Sequence, residues 1–214
     1  MNTTKIYFVR HGESEGNKRD AFLGHTDLDL SPIGYKQAKL TAKFLKDIPC
    51  DAIYSSDLKR AYNTAVETSK LKGMQIIKNK NLREIFAGKW ENQLFCTLEE
   101  EYKDTYKLWL ENIGKAKCDE GESVEELQNR FVSEVEKIAK ENMGKTVFIF
   151  THATPIRVLK AKCDNATLDE IKNISWATNA SVTIVEYKND KLEMVEYSKD
   201  SFLGEFVTAL PENV

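Results

Sequence analysis

The sequence is poor in the features that mark a membrane, an oxidised or a nucleic-acid-binding protein. Its longest apolar runs fall far short of the ~20 residues that cross a bilayer, so no membrane partner is expected. The polar start Met1-Asn2-Thr3-Thr4-Lys5 does not read as a signal peptide. The four cysteines, Cys50, Cys96, Cys118 and Cys163, include no Cys-x-x-Cys pair. That spacing argues against a disulfide framework or a zinc cluster and for free thiols in a reducing, cytoplasmic setting. A formal charge of −3 supplies no positive field for nucleic acid. With no repeat, no low-complexity tract and no long Pro/Gly/Ser linker, residues 1–214 are expected to form a single domain. No glycine-rich loop ends in Gly-Lys-Ser/Thr, so NTP binding is not expected. Nor is an ordinary serine hydrolase.

What remains is an ordinary globular composition, 41% apolar and 30% charged, with elements that alternate along the chain. Ile6–Val9 reads as a buried strand, and Ser31-Pro32 caps a helix running through Lys36–Lys46. Asp51–Ser56 reads as a second strand, with a helix from Asp57 that carries Arg60, Ala61, Thr64, Ala65 and Thr68. Ile76–Leu82 is expected as an edge strand, and apolar spacing predicts a helix over Thr97–Asn112. Ser123, three residues ahead of Glu126, predicts a capping box and a helix to about Glu141, with Leu127, Phe131, Val135 and Ile138 as its core stripe. Thr146–Thr151 is a nearly continuous apolar strand, followed by a helix around Ile156–Lys162. Ser181–Tyr187 and Leu192–Tyr197 flank a hairpin turn at 188–191. Strands alternating with helices predict an α/β three-layer sandwich, its central sheet mostly parallel with helices on both faces.

In such a sheet the carboxyl ends of the strands share one edge, where ligand sites form. Arg10-His11-Gly12, the Ser56–Arg60 stretch and His152 each follow a predicted strand. Arginine offers a rigid fork of donors for an anion, and histidine a nucleophile or base near neutral pH. Glu84 is either an ion-pair partner of Arg83 or a general acid, if burial raises its pKa. Trp90 reads as a packing residue and His25 as a loop residue. No metal site is expected, because the carboxylates near the histidines form no recognised ligand set.

Taken in order, these residues resemble the histidine phosphatase superfamily, also called the phosphoglycerate mutase-like family. The resemblance is carried by Arg10-His11-Gly12-Glu13-Ser14 with Asn17, and by Gly24-His-Thr-Asp27 with Leu30, Ser31 and Gly34. It continues through Ser55-Ser56-Asp57-Leu58 with Arg60-Ala61, and Leu82-Arg83-Glu84 with Gly88, Trp90 and Glu91. Gly121-Glu122-Ser123 and Thr151-His152 with Ile156-Arg157 complete it. The resemblance implies that His11 attacks the phosphorus of a monoester and becomes a phosphohistidine, while Glu84 protonates the departing oxygen. It further implies that Arg10, Arg60 and His152 ring the phosphoryl group. Asn17, Thr26 and the backbone at Ala153 are expected to add contacts, with no metal or other cofactor. The expected partner is a small phosphorylated metabolite.

Three positions depart from the family pattern. Ala153 stands where glycine is usual, Asp29 where proline is common, and Asn92 where glycine often follows Trp-Glu. Only residues 85–120 lie between Glu84 and Gly121, a segment short enough for the compact phosphatase branch. Within it, Tyr102, Lys103, Tyr106, Lys107 and Trp109 form either a lid over the leaving group or an ordinary amphipathic helix. The alternatives are a cofactor-dependent phosphoglycerate mutase, an inactive relative that only binds phosphorylated ligands, and a metal-dependent hydrolase. The substrates the resemblance admits range from sugar phosphates, phosphoglycerates and nucleotides to α-ribazole phosphate and phosphoproteins.

Overall fold

The computed structural model of the chain describes residues 3–209. Six strands form one sheet: β1 (Thr4–Arg10), β2 (Ala52–Ser55), β3 (Ile76–Lys78), β4 (Thr146–Thr151), β5 (Val182–Lys188) and β6 (Lys191–Lys199). Their spatial order is β3-β2-β4-β1-β5-β6. The three pairs from β3 to β1 are parallel, and β5 and β6 extend the sheet as antiparallel strands. The expected mostly parallel α/β sandwich is the fold observed.

Side-chain alternation divides the strands between two cores. Tyr7 and Val9 join Phe148 and Phe150 beneath α1 (Pro32–Leu45) and α2 (Lys59–Lys72), which contribute Leu45 and Ala65. Ile6 and Phe8 join Val147 and Ile149 beneath α5 (Val124–Glu141) and α6 (Ala153–Cys163). Burial on both faces is why β1 and β4 read as near-continuous apolar runs. The predicted stripe of α5 is buried, and its capping box forms, with Ser123 Oγ accepting from the Glu126 amide. At the β5–β6 hairpin, Asn189 and Asp190 both take positive φ, as a two-residue turn of matching twist needs.

Two expectations need correction. The strand expected over Ile76–Leu82 stops at Lys78, because Asn79 caps a tight turn at Lys80–Leu82 through its side-chain bond to the Asn81 amide. The helix expected over Thr97–Asn112 is two: α3 (Phe95–Glu101) and α4 (Lys103–Asn112), broken at Tyr102. The break brings Phe95 and Trp109, one from each helix, against the same ring of Phe22. Asn92 sits at φ +60°, a left-handed conformation that asparagine tolerates better than most residues. That conformation accounts for the glycine usual at this position.

Candidate active site

Sheet register assembles the site. Arg10 pairs with Thr151 across parallel β1 and β4, and Ser55 of β2 pairs with Phe150. The residues one step further along, His11 and His152, therefore emerge side by side, with rings 5.2 Å apart. Ser56 emerges next to them and bonds His152 Nε2 at 2.9 Å. The loop after β1 packs directly on the start of α1. A Cβ on Gly12 would lie 2.6 Å from the Gly34 carbonyl oxygen, and one on Gly34 2.0 Å from that of Glu13. Both positions thus require glycine.

The hydrogen bonds of His11 fix its tautomer. Nδ1 lies 2.7 Å from the Gly12 carbonyl oxygen, which can only accept. The ring proton is therefore on Nδ1, and Nε2 carries a lone pair. Burial, reinforced by the charges of Arg60 and Arg10, holds the His11 pKa well below the usual imidazole range. The ring is therefore neutral, and nucleophilic, through the physiological range. His152 is fully buried and its pKa is depressed in the same way, by burial first and then by Arg60 and His11. His152 Nε2 and the Ser56 hydroxyl share a hydrogen bond, and Nδ1 is buried without a partner.

Glu84 is not Arg83's partner. The Arg83 guanidinium grips both oxygens of Asp57 at 2.6 Å, leaving the Glu84 carboxyl to face the cavity that His11 lines. Its Oε1 accepts from the Ile85 amide at 2.8 Å, and its Oε2 from the Thr154 amide at 3.3 Å. Burial pushes its pKa up, against those two bonds and the charge of Arg60. A neutral imidazole and a carboxyl raised toward protonation thus share one cavity, an arrangement suited to nucleophile and acid.

The cavity, about 480 Å3 including its open mouth, is lined on one side by Arg10, His11, Asn17 and Glu84, with Ala153 and Thr154 from the first turn of α6. His152, the residue before that turn, makes no capping bond, and Glu84 takes only the Thr154 amide, so the positive end of an eleven-residue helix faces an incoming anion. Arg10 Nη1 donates to the Ala177 carbonyl at 2.6 Å while its Nε is unpartnered. Burial lowers the Arg10 pKa to about 10, and it remains a cation at neutral pH. The Asn17 oxygen accepts from the Ser14 amide and hydroxyl, which leaves its NH2 as the group to donate to a ligand.

Arg60 and His152 stand behind the cavity surface rather than in its lining. Arg60 donates to the carbonyls of Gly24 and Thr26 at 2.8 Å and of Leu23 at 3.4 Å, again leaving Nε unpartnered in a buried position. It therefore holds the 23–26 loop as well as placing charge beside His11 and Glu84. Replacing it with alanine orphans those carbonyls. The Arg60→Ala variant should lose on the order of 3 kcal/mol of stability and weaken phosphate inhibition at least tenfold. Thermal melts and inhibition assays measure the two losses, and unchanged inhibition would confine Arg60 to a scaffold role.

Thr26 requires correction. Its amide and hydroxyl both donate to the Glu91 carboxylate, which also accepts from the amides of His25 and Ala87. Glu91 thus ties down this loop, and no Thr26 donor is left for phosphate. His25, expected as an uninvolved loop residue, bonds the Glu84 backbone carbonyl through Nε2 at 3.0 Å and braces the acid from behind. Asp29, the second departure from the family pattern, accepts from Leu30, Tyr35 and Asn63. Residues 12–16 do spell Gly-x-Ser-x-Gly, the serine-hydrolase elbow pattern. Ser14 Oγ, however, donates to Asn17 Oδ1 and accepts from the Asn17 amide, and no histidine is bonded to it.

Sequence reasoning missed most of the opposite wall: Ala21, Phe22, Leu23, Phe95 and Trp176. It named only Trp109 there, within the segment weighed as a lid. Aromatics scattered over 22–176 carry no local pattern that would have flagged them. Among the described residues, no three His, Cys, Asp or Glu side chains converge as metal ligands do. No helix is long and apolar enough to cross a membrane.

Comparisons with known proteins identify the family and the fold. The sequence pattern of the histidine phosphatase superfamily (branch 1) matches residues 6–200. Phosphoserine phosphatase 1 of Hydrogenobacter thermophilus is 33% identical over 202 residues, which covers 94% of this chain and 95% of the relative. The metal-independent phosphoserine phosphatase of Arabidopsis thaliana is 30% identical over 204 residues, 94% of this chain and 84% of the relative. Among solved structures, Bacillus stearothermophilus YhfR superposes with a TM-score of 0.90 at 26% identity, covering 94% of this chain and 99% of that one.

Proposed function

Because the chain belongs to branch 1 of the histidine phosphatase superfamily, we propose that it hydrolyses small phosphomonoesters through a phosphohistidine at His11, with Glu84 carrying the proton. The observation that carries this assignment is the Nδ1 bond of His11 to the Gly12 carbonyl, which leaves a neutral Nε2 lone pair in the cavity shared with Glu84.

In the first half-reaction Nε2 forms a bond to phosphorus. The ester P–O bond breaks, and its electron pair leaves on the oxygen that takes the Glu84 proton. In the second, water gives a proton to the Glu84 carboxylate and its oxygen bonds to phosphorus. The P–N bond breaks, and its electrons return to Nε2. Splitting the reaction lets one pocket serve both displacements. Charge on the transferring group is spread over its oxygens, so fixed donors are what the chemistry rewards. Arg10, which lines this side of the cavity, has a buried Nε without a partner, and Arg60 has another behind it. Such groups are costly to leave unpaired; a bound phosphoryl oxygen would satisfy Arg10 Nε, while the Arg60 charge acts on it from behind. The first-turn amides of α6 and the Asn17 NH2 add donors, and a methyl at Ala153 in place of the usual hydrogen leaves its amide in place.

The test is to quench the enzyme during turnover of a radiolabelled monoester, in the presence of chelator. The expected result is steady phosphate release and an acid-labile, alkali-stable protein-bound phosphate that maps to His11. Release that stops with chelator, or conversion of 3-phosphoglycerate to its isomer without net release, would overturn the assignment.

A further inference from the structure

The two walls of the cavity are chemically unlike. Every phosphoryl-binding group proposed above comes from the end of β1 and the loop after it, the Arg60 helix, and the start of α6. The opposite wall is largely aromatic: Phe22 and Leu23 from the loop, Phe95 from α3, Trp109 from α4, and Trp176, with the buried Trp109 indole N–H lacking a partner. Its rings form a continuous surface. Phe22 and Trp109 meet edge to face at 5.0 Å, and Trp109 stacks on Trp176 at 6.3 Å with 25° between the planes.

Trp176 is held in place from outside the cavity. The Arg157 guanidinium lies 4.2 Å from its ring centroid and donates to the Lys172 carbonyl, and the Tyr197 hydroxyl donates to the Ser175 carbonyl at 2.6 Å. Arg157 lines a separate cavity that shares Trp109 and Trp176 with this one. Its charge is therefore absent from the lining. Among the described residues, the one cation in that lining is Arg10, which the phosphoryl group claims.

We propose that this wall is a leaving-group subsite for apolar, ring-bearing alcohols, with Trp176 as its specificity-determining residue. The inference rests on the phosphatase assignment and adds the chemical class of the ester to it. A ring entering the subsite sheds water and stacks on pre-positioned aromatic faces. A leaving group such as serine carries an ammonium and a carboxylate. Both would lose their hydration against these rings, with the single Trp109 indole N–H as the donor offered in return.

Benzyl phosphate and O-phosphoserine separate these cases, since both release alkyl-type oxygens of poor leaving ability and differ in what the alcohol carries. With chelator present, kcat/KM for benzyl phosphate should exceed that for O-phosphoserine by roughly tenfold or more, the scale expected for burying a ring. Trp176→Ala should reduce that ratio at least tenfold, and Trp176→Phe should restore most of it. Trp176 is only partly buried, and circular dichroism verifies that the variants fold. Preference for O-phosphoserine, or an equal loss on both esters in Trp176→Ala, would overturn the subsite. Absence of hydrolysis of any ester by the unmodified enzyme would instead overturn the phosphatase assignment, and the subsite with it.

Discussion

Replacing His11 with alanine should lower turnover of every phosphomonoester by roughly 10,000-fold or more, the scale on which a covalent nucleophile is lost. The size follows from the geometry. His11 is the residue in the cavity whose ring nitrogen carries a free lone pair on a neutral ring, its other nitrogen being committed to the Gly12 carbonyl. His152 does not substitute for it, because it stands behind the cavity surface with its Nε2 bonded to Ser56. The substitution leaves Arg10, Arg60 and the α6 terminus in place, so inorganic phosphate should still raise the melting temperature of the variant. Loss of turnover with phosphate protection intact marks a nucleophile. Residual turnover above about 1% would remove His11 from that role.

Glu84→Gln should divide substrates by their leaving groups. Glutamine keeps the shape of the side chain but has no proton to give. Alkyl phosphates should slow by roughly 100- to 10,000-fold, whereas an activated aryl phosphate, whose oxygen departs unprotonated, should still phosphorylate His11. The second half-reaction also lacks its base, so phosphohistidine should accumulate as a burst. Equal losses on both ester types would exclude Glu84 as the acid. The pH profile carries a sign. Burial raises the Glu84 pKa, so the protonated form needed for the first step persists above the ordinary carboxylate range. For alkyl phosphates kcat/KM should fall as pH rises through that raised pKa, and this limb should vanish in Glu84→Gln. Within the side chain, Oε2 is the oxygen suited to hold the proton, its contact to the Thr154 amide being long at 3.3 Å.

Much of this site was legible in the sequence because strands declare themselves. Ile6–Val9 and Val147–Phe150 are apolar without interruption, so the histidines that follow these strands fall at one edge of a parallel sheet whatever the loops do. The capping box at Ser123 was equally readable, since both its partners lie within four residues. What failed were features decided by distant packing. Tyr102 breaks a helix whose periodicity is unbroken, because Phe95 and Trp109 both pack on Phe22. Thr26 sits in a recognisable motif, yet its donors are claimed by Glu91, sixty-five residues away. His25 shows the reverse: an unremarkable loop position that braces the acid because the fold brings Glu84 to it. The aromatic wall was legible only in part, as Trp109, because nothing local relates Phe22 to Trp176.

The strand order also dictates when the enzyme can come into being. β4 sits between β2 and β1, and among the described residues β1 and β2 share no pairing of their own. On the ribosome, the first 145 residues therefore hold two strands of the sheet's centre with an empty lane between them, and His11 waits at the end of one. The lane fills only when Thr146–Thr151 emerges, and the same six residues deliver His152. Closure of the parallel part of the sheet and arrival of the second histidine are a single late event, with β5 and β6 still to be added on the β1 side. A chain interrupted before that event has neither a closed core nor its histidine pair.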